Sequence, residues 1–215
     1  ENYFQLEGLA YRLVPYQTRS FDGQTGTVET EKMYNRLVKK FKWGGFSNSN
    51  LYFDETNTRM VMNFRNNFSR LADALLRNGD NTRAIETLDK CMKEFPRETV
   101  NYSYFSIPIA EIYLRAGAKQ KGIDILAEMS EDFMKEYKYF SNFKNTKQVK
   151  QSLSLSSQIL SNLYRLIQSN NLYSSNFEYI QEKGLYYKKI NDEKIEVSDS
   201  EYKINEFVNE FLMLQ

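Results

Sequence analysis

The chemistry open to this chain is bounded first by what it lacks. Its 215 residues include no histidine and one cysteine, Cys91. Without imidazole there is no Ser-His-Asp triad, no Cys-His dyad, no HExxH metal site and no switch near neutral pH. One thiol excludes an intrachain disulfide, a CxxC redox pair and a thiolate zinc site. Cys91 has no histidine to activate it as a nucleophile, and packing in a helix core is the plainer reading. The densest polar cluster is Asp54-Glu55 followed by Arg59. Adjacent acids can do acid–base work or hold a cation. Acids at a helix start are also what the helix dipole favours. The remaining candidates are aromatic: 16 Tyr, 15 Phe and 1 Trp make an unusually ring-rich chain. Tyr102 and Tyr104 stand out, because rings near helix ends can anchor a protein partner or stack on a sugar. No pattern implies a cofactor or a metal, so a binding role is expected ahead of catalysis.

These residues must be held by helices. With 9 Gly and 3 Pro, against about 15 and 11 at average usage, the chain has little material for phosphate-cradling loops or many tight hairpins. Residues 1–27 read as extended: Leu9, Tyr11 and Leu13 alternate with Ala10, Arg12 and Val14 up to Pro15. The opening Glu1-Asn2-Tyr3-Phe4-Gln5 looks like a protease-tag site lacking one residue; it is read here as natural sequence, and the abrupt start suggests an excised domain. A first helix is expected from about Glu29 to Phe41, with Met33, Leu37, Val38 and Phe41 on one face. Trp43-Gly44-Gly45-Phe46 ends it.

The strongest pattern begins near Asn57. Phe64, Phe68, Leu71, Ala72, Leu75 and Leu76 form a helical stripe that stops at Asn78-Gly79-Asp80. Asn81 is expected to cap a second helix, with Ala84, Ile85, Leu88, Met92 and Phe95 inward and Pro96 ending it. The two helices resemble a tetratricopeptide repeat. With Arg65 as the first position, Phe68, Leu71, Ala72, Leu75, Ala84, Leu88, Cys91 and Pro96 all fall where that repeat wants their size or kind. Small residues let the axes approach, and large ones fill the gaps. Adding 38 to the anchors carries Leu71 to Ile109, Ala72 to Ala110, Leu75 to Tyr113, Gly79 to Gly117 and Leu88 to Leu126. A second pair is therefore expected over about 103–139, with Pro108 tolerable only in a first turn.

Gln148 to Gln168 is expected as a further helix, with Phe177, Ile180 and Leu185 marking a shorter partner. Lys188 to Ser200 is charged and reads as a loop. Ile204, Phe207, Val208, Phe211 and Leu212 predict an amphipathic C-terminal helix that caps the stack. The expected fold is all-α: a TPR-like, right-handed array of antiparallel helix pairs after a short extended N-terminal segment. It divides into residues 1–56, an extended segment plus one helix packing on the array, and 57–215, the helical domain.

The charge balance is 29 Lys+Arg against 28 Asp+Glu, which argues against nucleic acid as a partner. No run approaches the ~18 apolar residues of a membrane span.

Two stretches carry a more specific likeness. Gln5-Leu6-Glu7-Gly8-Leu9-Ala10-Tyr11-Arg12-Leu13-Val14-Pro15 and Tyr52-Phe53-Asp54-Glu55-Thr56 with Arg59-Met60, together with Phe41-Lys42-Trp43-Gly44-Gly45, resemble part of a bacterial membrane-protein family. It is the C-terminal soluble region of large multi-spanning proteins of unknown function, distantly related to protein O-mannosyltransferases. The likeness covers roughly residues 5–140. It implies a tail on the periplasmic face of the inner membrane. Any sugar-transfer residues would belong to the membrane part, and none can be placed on this chain.

The expected function is a non-catalytic, protein-interaction tail. It would recruit a protein or peptide partner, or the membrane part of the same protein, along the helix stack. A carbohydrate-binding module using clustered tyrosines is the alternative. A carboxylate glycoside hydrolase needs two facing acids about 5–10 Å apart, and the sequence shows no such pair.

Overall fold

The structure is a computed structural model and describes residues 3–143, 146–173, 178–190 and 193–214. Glu1, Asn2 and Phe177, which figure in the expectations above, lie outside the described residues. The chain divides into two compact units, Glu1–Ala118 and Lys119–Gln215. That boundary differs from the division expected at residue 56, because the N-terminal segment packs into the first unit's own core.

In the first unit, β1 (Phe4–Leu6) pairs antiparallel with β2 (Tyr11–Leu13) and parallel with β3 (Thr27–Val28), so β2 and β3 are the edges. The expected first helix is present but not uniform: α1 (Thr30–Tyr34) runs into a π-helical turn, Asn35–Lys40. Phe41 N–H there donates to Arg36 C=O at 2.8 Å, five residues back. Met33, Tyr34, Leu37 and Val38 are buried.

Two longer helices follow, α2 (Glu55–Arg77) and α3 (Asn81–Glu94). Asp54 caps the first, accepting from Asn57 N–H at 2.8 Å. Asp80, rather than the expected Asn81, caps the second, accepting from Arg83 N–H at 2.9 Å. Phe68, Leu71, Ala72, Leu75, Ala84, Leu88 and Cys91 are all fully buried, and the two helices pack on each other. Trp43 closes one end of this core among Phe64, Phe68 and Phe95, with ring centroids 5.1–5.4 Å away. After a 3-10 turn at Tyr104–Ser106, α4 (Ile107–Ala116) begins with Pro108 in its first turn, where a missing N–H costs nothing.

The 38-residue shift is visible in the backbone. Gly79 N–H donates to Leu76 C=O at 3.0 Å and Asp80 N–H to Leu75 C=O at 2.9 Å. Gly117 and Ala118 repeat the pattern on Leu114 and Tyr113 at 3.3 and 2.9 Å. Both glycines sit at positive φ, 81° and 94°, the left-handed C-terminal stop that a side chain resists. The partner helix expected for α4 belongs to the second unit.

That unit holds α5 (Lys119–Ser141), α6 (Lys147–Ser169) and α7 (Asp199–Met213), with α5 packed on both others. Ile204, Phe207, Val208 and Phe211 of α7 are buried, whereas Leu212 is exposed. Between α6 and α7 in the chain the expectation of a helix and a loop fails. Residues 178–190 and 193–197 form an antiparallel meander of β4 (Glu178–Glu182), β5 (Leu185–Ile190) and β6 (Glu193–Val197). Lys183 and Gly184 both have positive φ, 52° and 81°, and make a two-residue hairpin turn of the kind that matches strand twist. Aromatic and β-branched residues such as Tyr179, Ile180, Tyr186 and Tyr187 favour strands over helix. The protein is therefore mainly helical with two small sheets, not all-α.

Candidate functional site

The expected site residues do not converge. Asp54 is spent on its helix cap, and Glu55 pairs with Arg59 one turn on, both well exposed. Tyr102 lies under the Arg65 guanidinium, 5.4 Å from ring centroid to Cζ. Tyr104 is exposed and contacts Phe105 edge-on at 6.1 Å. Cys91 is buried, and burial pushes its thiol up to about 12, which leaves almost no thiolate at neutral pH. Among the described residues no group of three or more His, Cys, Asp or Glu is placed to hold a metal ion.

The structure instead builds a cleft of about 530 Å³ in the first unit. One wall is the segment Arg19–Asp22 with Gly26–Thr30; the other is Arg70, Asp73, Ala74, Arg77 and Asn78 from α2. Arg70 is the pin between them. Its Nε donates to Asp22 Oδ2 at 2.6 Å, Nη1 to Tyr11 Oη at 2.9 Å, and Nη2 to Thr25 and Gly26 C=O at 3.0 and 2.8 Å. Burial pushes the Asp22 carboxyl upward, but hydrogen bonds from Ser20 and Arg70 outweigh it and hold the group below its usual range. With Arg70 saturated, the wall cannot move without breaking a buried charged network.

Two features of the cleft suit a chain-like ligand. Phe21 is 72% exposed on its wall, a large ring open to solvent. The cleft also runs along β3, an edge strand. Glu29 N–H donates to Leu6 C=O at 3.0 Å, so in a parallel ladder Val28 turns its own N–H and C=O outward.

Sequence reasoning missed this cleft. Asp22 lies in the segment read as extended, and Arg70 sits among the residues beside the apolar stripe. The available signal was a buried-face arginine, since arginine is fully buried only when paired.

The second unit has a cleft of about 600 Å³ between α5, β4 and α7. Ion pairs Glu131–Lys203 and Lys138–Glu210 line it with Tyr179, Tyr202, Asn205 and Asn209. No helix among the described residues is long and apolar enough to cross a membrane. No family model, curated protein or solved structure matches the chain.

Proposed function

We propose that this chain is a non-catalytic protein-binding module that receives an extended segment of a partner polypeptide in the cleft beside β3. The observation that carries this reading is the open edge of β3 facing a preformed cleft with an exposed Phe21. An added strand gains main-chain hydrogen bonds from such an edge, and neighbouring pockets select its side chains. The volume lies within the ordinary range for ligand sites. The α2–α3 pair and its repeated glycine turn act as a TPR-like support. In the setting that the family likeness implies, the module is the periplasmic tail of a bacterial membrane protein. Its guest is then a loop of the membrane part or an acceptor polypeptide.

Selection of displayed random peptides on the purified chain tests this. Enriched peptides should bind saturably, weaken about tenfold or more with Phe21→Ala, and lose binding when alternate peptide nitrogens are methylated. Failure to enrich any peptide overturns the reading. So does turnover of a glycoside or sugar donor that Asp54→Asn or Glu55→Gln abolishes.

One observation favours the carbohydrate alternative. The second unit's cleft is lined by three acids and three bases, with Tyr202, Asn205 and Asn209 among them. That charge-balanced, amide-bearing lining suits a neutral hydroxylated ligand. Saturable binding of a neutral oligosaccharide, lost in Tyr202→Ala, would promote it.

A further inference from the structure

Tyr34 is the floor of a separate depression in the first unit. It has a volume of about 430 Å³ and is lined by Glu31, Lys32, Tyr34, Asn35, Lys39 and Arg83. Two cations from distant parts of the sequence converge on its ring. Lys39 Nζ lies 5.2 Å from the centroid and Arg83 Cζ lies 5.3 Å from it. Each of these cations is also paired with a carboxylate. Most of the holding acids are not part of the depression's lining. Glu86 accepts from Lys39 at 2.5 Å and from the Tyr34 hydroxyl. Asp80 accepts from Arg83 Nε at 2.5 Å, and Glu7 from Lys32 at 2.8 Å. Only Glu31 among the lining residues is acidic, and it takes Arg83 Nη1 at 2.8 Å.

Asn35 is exposed and the Arg83 side chain partly so, and their remaining donors face solvent. Lys39 and Lys32 remain about half exposed, at 52% and 47% of the side chain. Asn35 and Lys39 both lie on the π-helical turn, a local geometry that is rare and gathers at functional sites. Three cations against one acid in the lining, with donors open to solvent, make a surface that suits a compact polyanion. The guanidinium offers a planar fork, and the ammonium a point charge.

We propose that this depression binds a small phosphate-type anion, either free in solution or as an exposed phosphate headgroup. The site is independent of the cleft beside β3.

Titration calorimetry of the whole chain with inorganic phosphate and pyrophosphate, at constant ionic strength set by chloride, tests it. Saturable binding is expected, tighter for pyrophosphate, and weakened about tenfold or more by Lys39→Gln and by Arg83→Gln. Glu31→Gln removes the one lining acid and should tighten phosphate several-fold, a gain that misfolding cannot imitate. A second arm uses vesicles of phosphatidylcholine with and without phosphatidic acid. Binding only to the acidic vesicles, lost in the same two variants, assigns the headgroup as the source. Absence of saturable binding in both arms overturns the proposal, as does binding that none of the three substitutions changes.

Discussion

Arg65 grips the end of the neighbouring helix at Phe95: its Nε and Nη2 both donate to the Phe95 carbonyl, at 3.3 and 2.9 Å. The same guanidinium reaches Pro96, Val100 and Asn101 carbonyls at 3.2, 2.6 and 2.9 Å. Arg65 is wholly buried. Its charge is met by the negative end of α3 and the turn that follows, where orphan carbonyls would otherwise be stranded. Burial accordingly pulls its pKa below the ordinary arginine value. Arg65→Leu should destabilise the first unit by about 3 kcal/mol or more, because several buried acceptors lose their donor at once. Urea unfolding followed by Trp43 fluorescence measures this, and a loss under ~1 kcal/mol would show that water replaces the guanidinium.

Cys91 should resist thiol reagents in the native protein and label only as the chain unfolds. The sulfur is buried, and a thiol pushed up to about 12 supplies little thiolate. Cys91→Ala should cost on the order of 1 kcal/mol. Fast stoichiometric labelling without denaturant would contradict the packing.

Glu7 should give the first unit an acid limb. The Lys32 hydrogen bond, against some burial and with Arg12 and Arg36 nearby, holds its carboxyl below the ordinary 4.5. A depressed native pKa stabilises above the unfolded value and is lost as pH falls through the native one. Urea midpoints should therefore drop with acidification below about pH 4.5. Glu7→Gln should be less stable near neutrality and flatter over the acid range. Parallel curves for the two proteins would remove Glu7 from that role.

Asp54→Ala should cost roughly 0.5–2 kcal/mol, the worth of a helix cap, while Glu55→Gln should be nearly neutral because its pair with Arg59 is exposed. Thermal melts of the two variants separate the cap from the surface pair. Equal effects would mean that the pair contributes more than its exposure allows.

Gly184→Val should unsettle the β4–β5 hairpin, since a β-branched residue resists a φ of 81°. A loss of about 1–2 kcal/mol is expected, with strand signal reduced in circular dichroism. An unchanged spectrum and midpoint would show that the turn has another conformation within reach.

The sequence by itself determined the helices whose stripes are long and whose ends are punctuated. Phe68, Leu71, Ala72 and Leu75 repeat at helical spacing, and Asn78-Gly79 can hardly do anything but stop. The same logic carried Gly79 onto Gly117, because a left-handed stop is a local backbone demand that glycine meets most easily. Residues 178–197 escaped it. Their apolar residues fall in short runs rather than at a regular spacing, and the Lys183-Gly184 turn is a weaker signal than Asn-Gly, so neither period dominated. The π-helical turn at Asn35–Lys40 was invisible for a related reason: its buried residues match an ordinary helix, and one extra residue in the turn leaves no mark on composition. Only the tertiary structure decided the candidate sites. Arg70 meets Asp22 across 48 residues, and Lys39 meets Glu86 across 47. Pairings at that range depend on how elements pack, which side-chain spacing along one segment does not encode.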